Sequence, residues 1–275
     1  MTLAIRFLGT STIVFDDGTT AIMTDGFFSR PSALRVLFGR LKPNRKRIMN
    51  ALKNAKVKTL AALFVAHSHH DHAMDAAVVA RETGAMVIGS ESTENIVRGG
   101  GHQRFQTARD GDTFRFGDFT VTTFTTPHSP KPFFPGKIAK PLRMPARLRR
   151  FREGGNYSYL IEHTSGRRIL VVPSCNFICG KFKDVRADTV FLSIGQLGKQ
   201  DDAFAANYWQ EVVRASGARL VIPIHWDSLT GSLRKPLKRM PWPFDNVRRS
   251  EALLEQFAHR DGITLRRLEP FVPLP

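Results

Sequence analysis

Apolar residues along the first part of the chain come in short alternating stretches. Residues 4–8, 11–15 and 20–24 predict three strands of an antiparallel meander, turned at Gly9 and at Asp16-Asp17-Gly18. Pro31 then suits a first helical turn, and Leu34, Leu37, Phe38 and Leu41 recur at i, i+3, i+4 and i+7. Arg35, Arg40 and Lys42 occupy other positions, which predicts a short basic amphipathic helix. Residues 60–66 are a continuous apolar run, suited to a strand buried on both faces. A helix over 73–83 ends at Gly84, and strands follow at 86–88, 113–116 and 119–125. Five prolines between 129 and 153 predict a long loop of the kind that forms functional lids. Beyond it the pattern predicts a hairpin of 157–162 with 168–172, a strand at 190–194, a helix at 203–215 and a strand at 219–224. A helix at 247–259 and a strand at 263–268 finish the chain. With no repeat and no linker, the expectation is one domain over 1–275 with basic loop insertions at about 27–58 and 129–153.

Composition narrows the class. Of 275 residues, 42% are hydrophobic and 24% charged, which excludes disordered and fibrous chains. Two cysteines cannot make a disulfide framework, no apolar run is long enough to span a membrane, and residues 1–6 lack a signal-peptide layout. The expectation is a soluble, cytoplasmic protein. The formal charge is +17, and 24 of the 41 basic residues lie in three stretches, 30–58, 131–152 and 234–249. The first two contain no acidic residue and the third only Asp245. Such fields concentrate anions, so an anionic partner is expected: a small or lipid-like substrate, with peripheral membrane contact considered and nucleic acid ranked lower. Arg30, Lys131 and Arg143 are the candidate substrate cations.

Four of the nine histidines fall in six residues, His67-Ser68-His69-His70-Asp71-His72, directly after the buried strand. His67 and His69, two apart on extended backbone, point the same way and can reach one metal ion. Asp71 and His72 continue into a helix start and can serve a neighbouring one. Imidazole and carboxylate suit zinc, and also iron or manganese.

This His-x-His-x-Asp-His pattern resembles the signature of the metallo-β-lactamase superfamily. Further likenesses run in family order: Thr24-Asp25-Gly26, Thr126-Pro127-His128-Ser129, the strand ending in Ile194-Gly195, and Pro223-Ile224-His225. The branch most resembled contains ascorbate-phosphate lactonase and N-acylphosphatidylethanolamine phospholipase D. The resemblance implies an α/β fold, a four-layer αββα sandwich of two mixed sheets. It also implies that His67, His69 and His128 hold one ion and that Asp71, His72 and His225 hold a second. A hydroxide held between them would be the nucleophile, with Asp71 as the catalytic residue that orients it.

The chain departs from the family where a bridging Asp is usual: Pro173-Ser174-Cys175-Asn176 carries no carboxylate there. Ser174 or Cys175 takes the place, which makes Cys175 a further candidate ligand and leaves open whether one or two ions bind. His70 is expected beside the ligands, while His102, His163 and His259 are expected at the surface. The leading expectation is a metal-dependent hydrolase of an anionic ester: a phosphodiester, phosphoester or phosphorylated lactone. In a lipid version Phe27, Phe28, Leu34, Phe38, Phe133, Phe134 and Phe151 would meet acyl chains. The alternatives are an RNase Z-like nuclease and a non-catalytic metal- or anion-binding protein.

Overall fold

The computed structural model describes residues 3–274. The N-terminal strands β1 (Ala4–Phe7), β2 (Ile13–Asp16) and β3 (Ala21–Thr24) form the expected meander, with Ile5 opposite Phe15 and Val14 opposite Met23. Two helices follow, α1 (Ala33–Phe38), where the amphipathic pattern predicts one, and α2 (Arg45–Asn54), which makes the first basic insertion largely helical rather than a loop. Asn44 caps α2 by accepting from the Arg47 N–H, and α2 buries Ile48, Ala51 and Leu52.

The next part alternates strand and helix: β4 (Ala62–Phe64), α3 (His70–Ala73), α4 (Ala76–Thr83), β5 (Met86–Gly89), α5 (Glu91–Gly99) and β6 (Phe105–Thr107). Sequence periodicity missed α5 and β6. The buried face of α5 is Ser92, Thr93, Ile96 and Val97, only half of it strongly apolar. Strands β1 to β6 make one sheet in chain order, antiparallel up to β3 and parallel from β3 to β6.

The second sheet is built in the same way. Strands β7 (Thr113–Phe116), β8 (Phe119–Thr125), β9 (Tyr157–His163) and β10 (Arg168–Val172) run antiparallel. Then β11 (Thr189–Ser193), β12 (Leu220–Ile224) and β13 (Thr264–Leu265) continue in parallel from β10. Two helices lie against this sheet, α6 (Asp202–Trp209), extended by a π turn at Gln210–Arg214, and α7 (Val247–Asp261).

Period-two alternation sets the layers. In the first sheet Ile5, Phe7, Phe15, Ile22, Phe64 and Ile88 face the second sheet's core residues. Their neighbours Val14, Met23, Leu63 and Val87 face α2, α4 and α5 on the other side. Edge-to-face pairs Phe15–Phe191 (6.3 Å) and Phe64–Tyr159 (5.5 Å) stitch the sheets together. Trp209, Leu254 and Phe257 cover the outer face of the second sheet. The result is the αββα sandwich. The segment 129–153 holds only one short 3₁₀ turn, Leu148–Arg150, and is pinned by buried Ile138, Leu142, Ala146 and Phe151.

Candidate metal centre

Loops at the C-terminal ends of β3, β4, β8, β10 and β12 meet at one end of the sandwich, where binding sites of parallel sheets gather. After β4 the chain stays extended to His69 (φ −62°, ψ 157°), which caps the four-residue helix α3. His67 and His69 therefore precede the helix, and Asp71 and His72 occupy its first turn. His128 arrives three residues after β8 and His225 directly after β12.

Two three-residue groups result, His67 with His69 and His128, and Asp71 with His72 and His225. In the first, His67 Nε2 lies 3.1 Å from His69 Nδ1, and the His128 ring centroid is 4.6 Å from that of His67. In the second, His72 Nε2 is 3.2 Å from His225 Nε2, and Asp71 Oδ2 is 3.5 Å and 3.3 Å from the same two atoms. The His67 and His72 rings are 3.8 Å apart, so the groups are adjacent.

The outer faces of these rings decide their tautomers. The His69 Nε2–H donates to the Phe133 carbonyl at 2.7 Å and the His128 Nδ1–H to the Ser129 carbonyl at 3.2 Å. The His72 Nδ1–H donates to Asp25 Oδ2 at 2.8 Å. A carbonyl only accepts, so each inward nitrogen presents a lone pair. Burial, then neighbouring rings, pushes His67 well below the usual imidazole range; burial brings His69 down to about 4 and His128 to about 3. Lone pairs of neutral rings converging at 3.1–3.2 Å, with an ionised carboxylate beside them, are what a divalent cation requires. The donor set fits zinc, iron or manganese.

Asp71 is ionised: burial pushes its carboxyl up, but His72, His225 and His70 outweigh this and hold it well below the usual range. His225 moves up, because Asp71 outweighs its burial. Gly195 explains the Ile-Gly pair at the end of β11. A Cβ there would sit 2.9 Å from His225 Nδ1, so only glycine lets the His225 ring settle.

Asp25 had carried no role in the sequence. It is fully buried at positive φ (57°) and accepts from Ser11 Oγ (2.5 Å), the Ala66 N–H (2.8 Å) and His72. An aspartate closing an otherwise apolar strand was the signal for it.

Other expectations change. Arg30 is 1% exposed and pairs with the wholly buried Asp227 at 2.7 Å, passing close to Gly9. It also donates to Thr10 Oγ1 and the Ser228 carbonyl, so it braces the loop after His225 and does not face a substrate. Phe27, Phe28 and Phe151 are core residues, not acyl contacts, whereas Leu34, Phe38 and Phe133 are exposed. Phe134 is half-buried. His163 and His102 are buried rather than superficial, while His259 is exposed. His70 sits behind the ligands, 3.4 Å from Asp71.

Cys175 lies in the core outside both ligand groups, its N–H donating to Ser129 Oγ and its thiol pushed well up by burial. Ser174 donates to Asn156. Lys131 and Arg143 are exposed. The loop bearing Lys131 reaches the metal ligands through the Phe133 carbonyl and is tied to the same loop by Ser68, which donates to the carbonyls of Arg152 and Glu153.

Comparison with known proteins gives the family and supports the fold. The beta-lactamase superfamily domain matches residues 20–226. A UPF0173 metal-dependent hydrolase of Chloroflexus aurantiacus is 29% identical over 180 residues, 64% of this chain and 69% of that protein. Among solved structures, Igni18, a metallo hydrolase from Ignicoccus hospitalis, superposes with a TM-score of 0.64 at 14% identity, covering 100% and 98% of the two chains. CmlA, a diiron β-hydroxylase from Streptomyces venezuelae, reaches 0.62 at 14% identity, over 99% of this chain and 54% of that one. The chain belongs to the metallo-β-lactamase superfamily. Within it, the chain is a metal-dependent hydrolase.

Proposed function

We propose that this hydrolase cleaves an anionic ester, a phosphodiester, phosphoester or phosphorylated lactone. The carrying observation is the pair of adjacent ligand groups, with Asp71 in one of them and a cationic loop attached to the other. When bound, zinc or a similar ion supplies Lewis acidity and lowers the pKa of water at the site. One ion would rest on His67, His69 and His128, a second on Asp71, His72 and His225.

The chain's own residues do the rest. Asp71, ionised and held among His70, His72 and His225, accepts a hydrogen bond from the attacking water and orients it. Asp25 keeps the His72 lone pair facing inward. Lys131, on the loop whose Phe133 carbonyl touches His69, supplies positive charge beside the ligands, and Arg143 adds to the charge of the same loop; neither has an acidic partner among the described residues. These cations favour a substrate that carries negative charge.

The test combines metal content of protein purified without chelator with turnover of bis(p-nitrophenyl) phosphate, a phosphomonoester and a phosphorylated lactone. Turnover of one of them, lost by at least about 100-fold in His128→Ala and in Asp71→Asn, is expected. Metal-loaded protein inactive on all three would overturn the ester reading. Cleavage confined to RNA would move the assignment to a nuclease.

A further inference from the structure

Exposed apolar side chains are not scattered over this molecule. Of the nine large hydrophobic residues that stand out into solvent among the described residues, seven lie within the three basic stretches: Leu34, Leu37, Phe38 and Met49 in the first, Phe133 in the second, Trp242 and Phe244 in the third. Helix α1 is the extreme case, with no buried residue. Leu34, Leu37 and Phe38 form its apolar stripe and are 73%, 56% and 81% exposed. An isolated six-residue helix is unstable in water, and a stripe normally turns to the core. Here the half-buried Val36 faces inward and the stripe faces out.

Many of the cations around these residues are free. Among the described residues Arg35, Arg40, Lys42, Lys131, Arg234 and Lys238 have no acidic partner. Within the same stretches Arg30, Arg45, Lys137, Arg239 and Arg249 are paired, with Asp227, Glu82, Glu91, Glu251 and Asp202. The first two stretches are also joined, and the third begins beside them. Leu41 bridges to Ala146, and Val36, Met144 and Leu148 of the first two pack on one core cluster with Leu233, the residue before the third, whose Leu237 and Met240 pack on the other cluster. Trp242, Arg234 and Lys238 line a cleft of about 1110 Å³ in the third stretch.

We propose that this rim is a docking face for an anionic phospholipid bilayer, with the α1 stripe and Phe133 entering the acyl boundary and the free cations meeting headgroup phosphates. An isolated basic patch would suit any polyanion, but greasy residues set among unpaired cations match a surface that is apolar below and anionic above. Singly exposed hydrophobics need no explanation, whereas a set concentrated in the cationic stretches does.

The molecule carries its own reporter. Trp209 and Trp226 are 1% and 3% exposed, so a change in emission on docking comes from Trp242, 73% exposed. The experiment uses the metal-loaded full chain with vesicles of phosphatidylcholine alone or mixed with phosphatidylglycerol. Sedimentation and emission are read, so the outcome does not depend on any substrate. Co-sedimentation with the anionic vesicles only, weakened by salt and accompanied by a blue shift, is expected.

In Leu34→Ser/Phe38→Ser, binding should fall by about tenfold or more with an unchanged melting temperature, since neither side chain is buried. Trp242→Phe should bind but lose the shift. No binding to anionic vesicles would overturn the proposal. So would equal binding by the double variant, which would leave charge alone as the cause. A shift with single-stranded oligonucleotide but not with vesicles would assign the face to nucleic acid instead.

Discussion

Replacing Asp25 by Asn tests the link between the buried hydrogen-bond network and the metal centre. The wild-type carboxylate accepts three hydrogen bonds, from Ser11 Oγ, the Ala66 N–H and the His72 Nδ1–H, all of them buried. In Asp25→Asn the amide oxygen can keep the Ala66 N–H, which leaves the NH₂ facing Ser11 and His72. An NH₂ group only donates, so His72 must accept at Nδ1 and carry its proton at Nε2. That proton then points at Asp71 Oδ2 and His225 Nε2, 3.5 Å and 3.2 Å away, where a lone pair is needed. Loss of such an outer partner lowers metal affinity by about 10–100-fold, or about 1.4–2.7 kcal/mol. Only the group of Asp71, His72 and His225 should weaken, because His67, His69 and His128 do not touch Asp25. Titration of the apo-protein against a competing chromophoric chelator resolves the two groups separately. If Asp25→Asn binds at both with wild-type affinity, the tautomer argument fails. If both weaken alike and the melting temperature collapses, the effect is unfolding rather than positioning.

Arg30→Met should act on stability rather than on substrate affinity. It leaves Asp227 buried and charged with the Thr10 N–H as its remaining donor, a loss of about 3–5 kcal/mol. Thermal melts should show a drop of roughly 10 °C, with much of it recovered in Arg30→Met/Asp227→Asn. A wild-type melt with a raised KM would return Arg30 to the substrate site. Burial pushes the Asp75 carboxyl up to about 6, against the opposing hydrogen bonds from Ser29 and Phe28. The folded state therefore takes up a proton that the unfolded chain, near 3.8, does not. Its contribution to stability is full below pH about 4 and is lost as pH rises through 6, worth up to about 3 kcal/mol. Denaturant melts of wild type and Asp75→Asn from pH 4 to 7 should differ by this step, and parallel profiles would refute it. Cys175→Ala should lose about 1–2 kcal/mol of stability and keep its metal stoichiometry, measured by mass spectrometry. A lost ion would make the thiol a ligand.

The elements most legible in the sequence were those whose evidence is local. The meander of β1 to β3 shows in period-two alternation, and the His67–His72 cluster shows because four donors fit within six residues. His128 and His225 are different. Each is a single histidine whose partners lie 61 and 153 positions away, so only the resemblance to a known fold placed them. Arg30 was misjudged for the same reason. It begins a run of basic residues that reads as solvated, and its counter-charge is 197 positions on, reached only because Gly9 has no side chain to block it. Phe27 and Phe28 looked free because they precede an exposed helix, yet both are inserted beneath it. Helix α2 escaped because Arg45, Lys46, Arg47 and Lys53 mask a buried face of only three residues.

The two ends of the sandwich show why one of them calls for a cation. At the far end the turns between β2 and β3 and between β9 and β10 bring Asp17 and His163 together at 3.4 Å, with Asp118 nearby. There the Asp17 carboxylate accepts the Thr19 and Thr20 N–H groups, and His163 Nδ1 accepts the Ser165 N–H. The His163 proton is therefore on Nε2, directed at Asp17, and the pair is a satisfied clasp between sheets. At the near end the same residue types are arranged the other way round. Outer carbonyls and Asp25 take the ring protons outward, leaving lone pairs of His69, His72 and His128 directed at one another and at their neighbours. A hydrogen-bonded network places a proton between each pair of acceptors, and this one removes them. Buried lone pairs facing each other are costly unless positive charge lies between them. That difference in proton direction, rather than the number of histidines, separates the metal centre from a structural histidine pair built from the same side chains.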